Sequence, residues 1–182
     1  MKNIISISFL FLFCFVKISI SQEITTPPLF GNPTKAQTKQ LVWHTSLAEV
    51  HELSKATNKP IFAFFTGSDW CGWCRKLQND VFSKPEFIEW AEKNVILLEL
   101  DFPRTKKLSP ELTQQNNGMQ QALKVTGYPT CWFIFTTKDE ATNNYNLNTL
   151  GSLGYPAGAE VGREQVKFLD DANRILSLIP KK

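Results

Sequence analysis

The 182-residue chain is poor in cysteine, with four, and in histidine, with two. Too few cysteines are present for a secreted scaffold stapled by several disulfides. With so few histidines and no second closely spaced cysteine pair, little remains from which to build a zinc site. No long block of like charge occurs. The 20 Lys and Arg are scattered among 17 Asp and Glu, for a net charge of +3, so no nucleic-acid partner is expected. Beyond residue 21 no apolar run approaches the roughly 20 residues of a spanning helix. There is no internal repeat. The length suits one domain with its own core and is short for two large ones. A hydrophobic fraction of 42% and a charged fraction of 20% are ordinary for a globular protein.

Residues 1–21 stand apart. Lys2 is followed by an apolar stretch from Ile4 to Val16, and Ser19-Ile20-Ser21 offers small residues where a signal peptidase reads. This predicts a cleaved signal peptide and export, with the periplasm as destination and no membrane span after cleavage. An uncleaved anchor facing the same compartment is the alternative. Cys14 lies inside the segment, and the bulky Phe13 before it argues against a lipoprotein site. Export then leaves Cys71, Cys74 and Cys131. Residues 22–40, with Pro27-Pro28 and Pro33, read as a flexible tether, and residues 41–182 as the single domain.

Within that domain, strand-like and helix-like patterns alternate. Leu41-Val42-Trp43 reads as a short first strand. Ser46 and Glu49 form a capping box ahead of Leu47, Val50, Leu53 and Ala56 at helical spacing, and Asn58-Lys59-Pro60 ends that helix. Ile61 to Phe65 is an unbroken apolar run, as expected of a strand covered on both faces. Thr66-Gly67-Ser68-Asp69 is turn chemistry, with a helix predicted from about Cys71 towards Val81. Another begins at Ser83-Lys84-Pro85-Glu86 and carries Phe87, Trp90 and Ala91. Val95 to Leu100 is a second buried strand. Ser109-Pro110 can open a helix, and Met119 to Val125 suggests a separate one. Cys131 to Phe135 is a third strand, Thr136 to Asn146 a loop, and 147–150 a short edge strand closed by Gly151 and Gly154. A last helix over 162–178 presents Val166, Leu169, Ala172, Ile175, Leu176 and Ile179. The alternation predicts an α/β layer fold with a central sheet flanked by helices.

Trp70-Cys71-Gly72-Trp73-Cys74 carries the chemistry. Two cysteines two residues apart at a helix start can close and reopen a small disulfide ring with little backbone movement. The unpaired N–H groups of the helix N-terminus favour the thiolate of the first sulfur. Cys71 is thus the candidate attacking thiol, and Cys74, shielded in the first turn, the candidate resolving thiol. Alternatives stay open at this level. Haem attachment needs a His after the second cysteine, where Arg75 stands. A zinc site would have to recruit Cys131, His44 and His51. A static disulfide closes so small a ring that it would stabilise little.

The order of strand, turn, Trp-Cys-Gly-Trp-Cys and helix, followed far downstream by Gly127-Tyr128-Pro129-Thr130 and another strand, resembles the thioredoxin superfamily over residues 41–178. Residues 65–74 are most similar to exported bacterial thioredoxin-like proteins rather than to cytosolic thioredoxin. The resemblance implies a thioredoxin fold, with a central mixed β-sheet flanked by helices, and a cis Tyr128–Pro129 bond lying against the two cysteines. Tyr128 would keep its backbone N–H and C=O free for an extended substrate strand. Trp70 is expected to pack beside the site and Trp73 to be exposed to a partner. The chain departs from the family where thioredoxin has a buried Asp: the matching stretch is Ala63-Phe64-Phe65. The Lys that neighbours that Asp falls near Leu97. Glu99 or water is left as proton acceptor for Cys74. Asp69 is expected in an exposed turn, its charge slightly opposing the thiolate, and Cys131 is expected as core filler.

The implied activity is thiol–disulfide exchange with protein substrates bearing disulfides or dithiols, with no cofactor and no metal. A thiol-based electron donor, such as a membrane reductase, would sustain turnover. Gly72-Trp73 matches neither the Gly-Pro of reducing thioredoxin nor the Pro-His of strong oxidants. The absence of a His between the cysteines favours the reducing direction. A non-catalytic binding or chaperone module is the rival from another class.

Overall fold

A computed structural model describes residues 40–180. The predicted signal peptide, and all of the predicted tether except Gln40, lie outside the described residues. The elements in chain order are α1 (Leu47–Thr57), β1 (Ile61–Thr66), α2 (Gly72–Leu77), α3 (Pro85–Asn94), β2 (Ile96–Asp101), α4 (Pro110–Ala122), β3 (Thr130–Asp139), β4 (Asn144–Leu153) and α5 (Glu164–Leu176). The strands form one mixed sheet in the order β2-β1-β3-β4. Strand β1 runs parallel to β2 and antiparallel to β3, and β4 is antiparallel to β3.

All six residues of β1 are buried, because helices cover both of its faces. Phe62 and Phe64 point to one side, with Leu97, Cys131 and Phe133 of the neighbouring strands. There they meet Cys74 and Leu77 of α2, Phe87 and Trp90 of α3, and Phe168 and Ala172 of α5. Ile61, Ala63 and Phe65 point to the other side, with Leu98, Leu100 and Ile134, against Leu47 and Val50 of α1 and Met119 of α4. Alternation along a strand sorts the apolar run between two cores. On the first side the packing is aromatic: the Phe62 ring lies 5.1 Å from Phe133, 5.8 Å from Phe82, 6.0 Å from Phe87 and 6.2 Å from Phe168, all edge-on, the geometry that ring quadrupoles favour.

Several elements differ from the sequence expectation. Leu41–Trp43 forms no strand. Pairing near it is an isolated bridge from His44 to Leu98, while the Trp43 ring closes over Phe62, Phe64 and Phe82. Helix α1 has half of the capping box. Ser46 accepts the Glu49 N–H at 3.3 Å, but the Glu49 carboxylate turns to His44 Nδ1 at 2.9 Å. Its inner face is Leu47, Val50, His51 and Ser54, and Ala56 is exposed. Helix α2 widens into a π-helical turn at Gln78–Phe82, where the Ser83 N–H reaches back to the Gln78 carbonyl at 2.8 Å. The extra residue in that turn brings both Val81 and Phe82 into the core.

Helix α4 does not break at its polar stretch. Gln115 accepts the Leu47 N–H and donates to the Thr45 carbonyl, each at 2.8 Å, and Asn116 donates to the Asp101 carbonyl at 2.9 Å. These polar side chains satisfy backbone groups at the ends of α1 and β2. The expected loop at Thr136–Asn146 is mostly hairpin. Strands β3 and β4 extend to a turn at 140–143, with Asn143 at φ 57°. Strand β4 is polar because it is the sheet edge. An extra residue, Leu150, sits at a register shift opposite Phe133/Ile134, so Gly151 lies inside the strand and does not end it. Helix α5 places Leu169, Ala172, Ile175 and Leu176 of the expected face on the core, but it also buries Phe168, which that face omitted, and leaves Val166 37% exposed.

Truncating Phe168 to Ala should cost about 3–5 kcal/mol, since its ring fills the aromatic core. Val166→Ala should shift stability by less than about 0.5 kcal/mol. Equilibrium urea unfolding of the two variants measures the contrast.

Candidate active site

The site stands where β1 ends. Gly67 follows the strand, and its carbonyl accepts the N–H groups of Trp70 at 3.2 Å and Cys71 at 2.8 Å, folding the chain into a tight turn. A Cβ on Gly67 would sit 2.4 Å from the Trp70 indole, so the turn and the indole together require glycine here. Cys71 is the N-cap of α2, with extended backbone, and its Sγ accepts the Cys74 N–H at 3.1 Å. The two cysteines are joined as a disulfide with Cα atoms 5.3 Å apart. Cys71 is 4% exposed and Cys74 1%. The first turn of α2 carries no acidic residue, and Arg75 and Lys76 follow. Gly72 has open space where a side chain would go.

The β1–β3 register sets Thr130 beside Phe65, which carries the preceding Tyr128–Pro129 segment to the end of β1 where the cysteine turn begins. The Tyr128–Pro129 bond is cis. The Tyr128 ring stands edge-on to Trp70 at 5.7 Å and packs on Phe102 at 5.3 Å. Burial pushes its phenol upward. Its backbone N–H and C=O are bonded to no other described backbone group. Cys131 is fully buried in the same core as Cys71 and Cys74, and burial pushes its thiol well above the usual range.

The connection after β2 wraps onto the cysteine turn. Asp101 accepts the Ser68 N–H at 2.8 Å and the Ser68 hydroxyl at 2.7 Å, and Lys106 Nζ meets it at 3.0 Å. Trp70 Nε1 donates to the Phe102 carbonyl at 2.8 Å. Asp69 accepts the N–H groups of Arg104 at 3.0 Å and Thr105 at 2.7 Å, along with the Thr105 hydroxyl. Those donors, the Thr105 hydroxyl foremost, hold its carboxyl well below the usual range. Asp69 lies in a turn, as expected, and its carboxylate stays ionised with donors from the 102–108 connection around it. The Arg104 guanidinium lies over the Trp70 ring, 3.9 Å from its centroid.

Trp73 is 59% exposed and stands apart from Trp70 and Tyr128, edge-on to Tyr155 at 5.1 Å. Tyr155 in turn donates to Asp80 at 2.6 Å, which Lys76 also engages. The donors that a zinc site would need are dispersed. His44 pairs with Glu49, and His51 Nδ1 meets the Thr136 hydroxyl at 2.8 Å. No group of metal-ligating side chains gathers among the described residues. Sequence reasoning did not find Arg104, Asp101 or Tyr155, since only the folded loops bring them beside Trp70, Ser68 and Trp73. Within β1 and β2 the carboxylates are Glu99 and Asp101. Glu99 lies beside Phe64 in register, and burial, assisted by the nearby Asp101 charge, raises its carboxyl. The arrangement can form and break a disulfide at a helix start, next to backbone groups able to hold an extended chain.

Residues 47–139 match the model of a thioredoxin-like domain. The chain is 43% identical over 94 residues to the disulfide bond reductase DsbH of Chlamydia pneumoniae, a stretch covering 52% of this chain and 56% of that protein. It is 26% identical over 122 residues to the thioredoxin-related protein DsbJ of the same organism, covering 67% of this chain and 33% of that one. The matched stretches therefore span only part of both relatives. Among solved structures, a DsbH oxidoreductase superposes with TM-score 0.64 and 30% identity, over 85% of this chain and 96% of that one. A thioredoxin from Thermus thermophilus superposes with TM-score 0.50 and 16% identity, over 76% and 88%, a likeness of fold alone. The mixed sheet and its helices are thus a thioredoxin fold.

Two substitutions probe the carboxylates. Asp69→Asn should speed amide hydrogen exchange at Arg104, Thr105 and Lys106 at neutral pH. The parent should loosen there only as pH falls below the ordinary aspartate range of about 3.9, because a lowered folded pKa gives stability that acid removes. Glu99 has the opposite sign. Its raised folded pKa favours the fold in acid, and that contribution declines as pH rises through the folded value. Glu99→Gln should therefore melt higher than the parent at pH 7, with the gap closing in acid.

Proposed function

The chain belongs to the thioredoxin-like family, and from that premise we propose that it is an exported thiol–disulfide oxidoreductase that reduces protein disulfides through Cys71 and Cys74. The observation that carries this reading is the Cys74 N–H donating to Cys71 Sγ at 3.1 Å. A donor held at that sulfur stabilises its thiolate, the form that attacks. In the reduced protein the Cys71 thiolate attacks one sulfur of a substrate disulfide. The substrate S–S bond breaks, its electron pair leaves with the other substrate sulfur, and a mixed disulfide forms. Cys74 loses its proton and attacks Cys71 Sγ. The mixed disulfide breaks, the second substrate thiol departs, and the Cys71–Cys74 bond is made. The substrate gains two electrons and two protons, and the protein dithiol gives up both. A dithiol donor in the same compartment then restores the pair.

Tyr128 supports this reading with backbone groups available to an incoming strand, and Trp70, Trp73 and Pro129 are the proposed rim of that strand's site. For Cys74 the proposed proton acceptor is Glu99, because Asp101 is spent on Ser68 and Lys106. The name of the relative DsbH, a disulfide bond reductase, favours the reducing direction. Export rests on residues 1–21, whose pattern is that of a cleaved signal.

In an insulin-reduction assay with dithiothreitol, the mature protein should accelerate precipitation, and Cys71→Ser should abolish the acceleration. Cys74→Ser should instead accumulate a mixed disulfide with insulin. Unchanged activity in Cys71→Ser would remove that thiol from the mechanism. Equilibration with glutathione should give a potential near about −270 mV, whereas a value near about −120 mV would make the protein an oxidant.

A further inference from the structure

Three carboxylates around the cysteine turn, Asp69, Asp80 and Asp101, are engaged by protein donors and cations, while other cations beside them are left open. Asp69 is taken by the backbone of residues 104–105, Asp101 by Ser68 and Lys106, and Asp80 by Lys76 and Tyr155. By contrast, Arg75, Arg104 and Lys107 are exposed and make no ion pair among the described residues.

Arg104 is held in place by its surroundings. Its N–H is fixed by Asp69 at 3.0 Å, the preceding stretch is fixed by the bond from Trp70 to the Phe102 carbonyl, and its guanidinium rests on the Trp70 ring at 3.9 Å. That ring meets Tyr128, the residue before Pro129, at 5.7 Å. A stack therefore runs from the Tyr128–Pro129 backbone through Trp70, next to Cys71, to a guanidinium facing solvent. A planar cation already ordered on an aromatic face gives up less entropy when it meets a carboxylate, and it can bind one through two parallel N–H bonds. Beyond Arg104 the same connection borders a cleft of about 410 Å³, lined by the cations Arg104, Lys106 and Lys107 together with the apolar Phe102 and Leu108. The Asp101 carboxylate also reaches this cleft and is balanced there by Lys106.

We propose that Arg104, with Lys107 on the same connection, forms a docking rim that selects protein substrates carrying acidic side chains next to the disulfide to be reduced. The rim deepens the oxidoreductase reading and rests on it. It adds no chemistry at Cys71. It raises the encounter rate and lifetime of partners whose flanking carboxylates meet Arg104 and then extend along the cleft, and it disfavours partners with flanking lysines.

The test uses the full mature protein, reduced, and three otherwise identical disulfide-linked peptides. Their cysteines are flanked by Glu, by Lys, or by neutral residues, and kcat/KM is measured for each at low salt. One exposed ion pair is worth a factor of up to about five, so the Glu peptide should be reduced about fivefold faster than the Lys peptide. R104E should reverse the order, R104Q should bring the ratio near one, and added salt should shrink the parental ratio. Charge reversal on the exposed Lys55 of α1 should leave the ratio as in the parent. Near-ultraviolet circular dichroism of the Arg104 variants checks that Trp70 keeps its packing, and the salt series on the parent tests the rim without any substitution. Equal rates for the Glu and Lys peptides in the parent, or a ratio that survives R104Q or salt, would overturn the rim while leaving the oxidoreductase reading intact. No reduction even of the neutral peptide would instead remove the reading on which the rim rests.

Discussion

Burying β1 on both faces is the constraint on which the rest of the structure depends. Six consecutive side chains from Ile61 to Thr66 are shielded from water, which demands helices above and below the sheet and neighbours on either edge. Phe62 and Phe64 recruit α2, α3 and α5, while Ile61, Ala63 and Phe65 recruit α1 and α4. A strand held this firmly has a fixed end, and Cys71 follows that end by one tight turn. Gly67 makes that turn possible, because only a residue without a side chain lets Trp70 fold back over the strand terminus. The position of the reactive sulfur is thereby set by packing far larger than any single contact at the sulfur itself.

Around that sulfur, polar groups are sorted. Backbone donors of the 102–108 connection solvate the Asp69 carboxylate, Ser68 and Lys106 occupy Asp101, and the Cys74 N–H faces Cys71 Sγ. In this low-dielectric setting an unpaired carboxylate beside the thiol would raise its pKa and slow attack. The connection surrounds the Asp69 carboxylate with donors and gives Asp101 a cation in Lys106, while its Arg104 and Lys107 are exposed. Electrostatics at the sulfur and electrostatics at the rim are therefore two consequences of one fold of the 102–108 connection.

Legibility in the sequence varied by element for physical reasons. The strand at 61–65 and the cysteine-bearing helix start could be read directly, since an unbroken apolar run and a Cys-Gly-Trp-Cys turn are local signals. The cis Tyr128–Pro129 bond was expected only through family likeness. The hairpin of β3 and β4 was hidden, because the polar residues of an edge strand look like a loop until a neighbour pairs with them. The polar middle of α4 was hidden for a related reason: Gln115 and Asn116 bond to α1 and β2, partners distant in sequence. Phe168 was overlooked because the rotation of α5 about its axis is decided by the aromatic cluster it enters, not by its own periodicity.

By itself the sequence determined which residues can do chemistry and roughly where strands and helices alternate, because side-chain identity, turn-forming residues and hydrophobic period act over a few positions along the chain. Only the tertiary structure decided that Asp69 takes its donors from Arg104 and Thr105, that Arg104 lies on Trp70, and that Tyr128 stands beside the cysteine turn. Each of those outcomes depends on contacts between segments 30 or more residues apart, and the free energy of such contacts exists only once both cores have closed around β1.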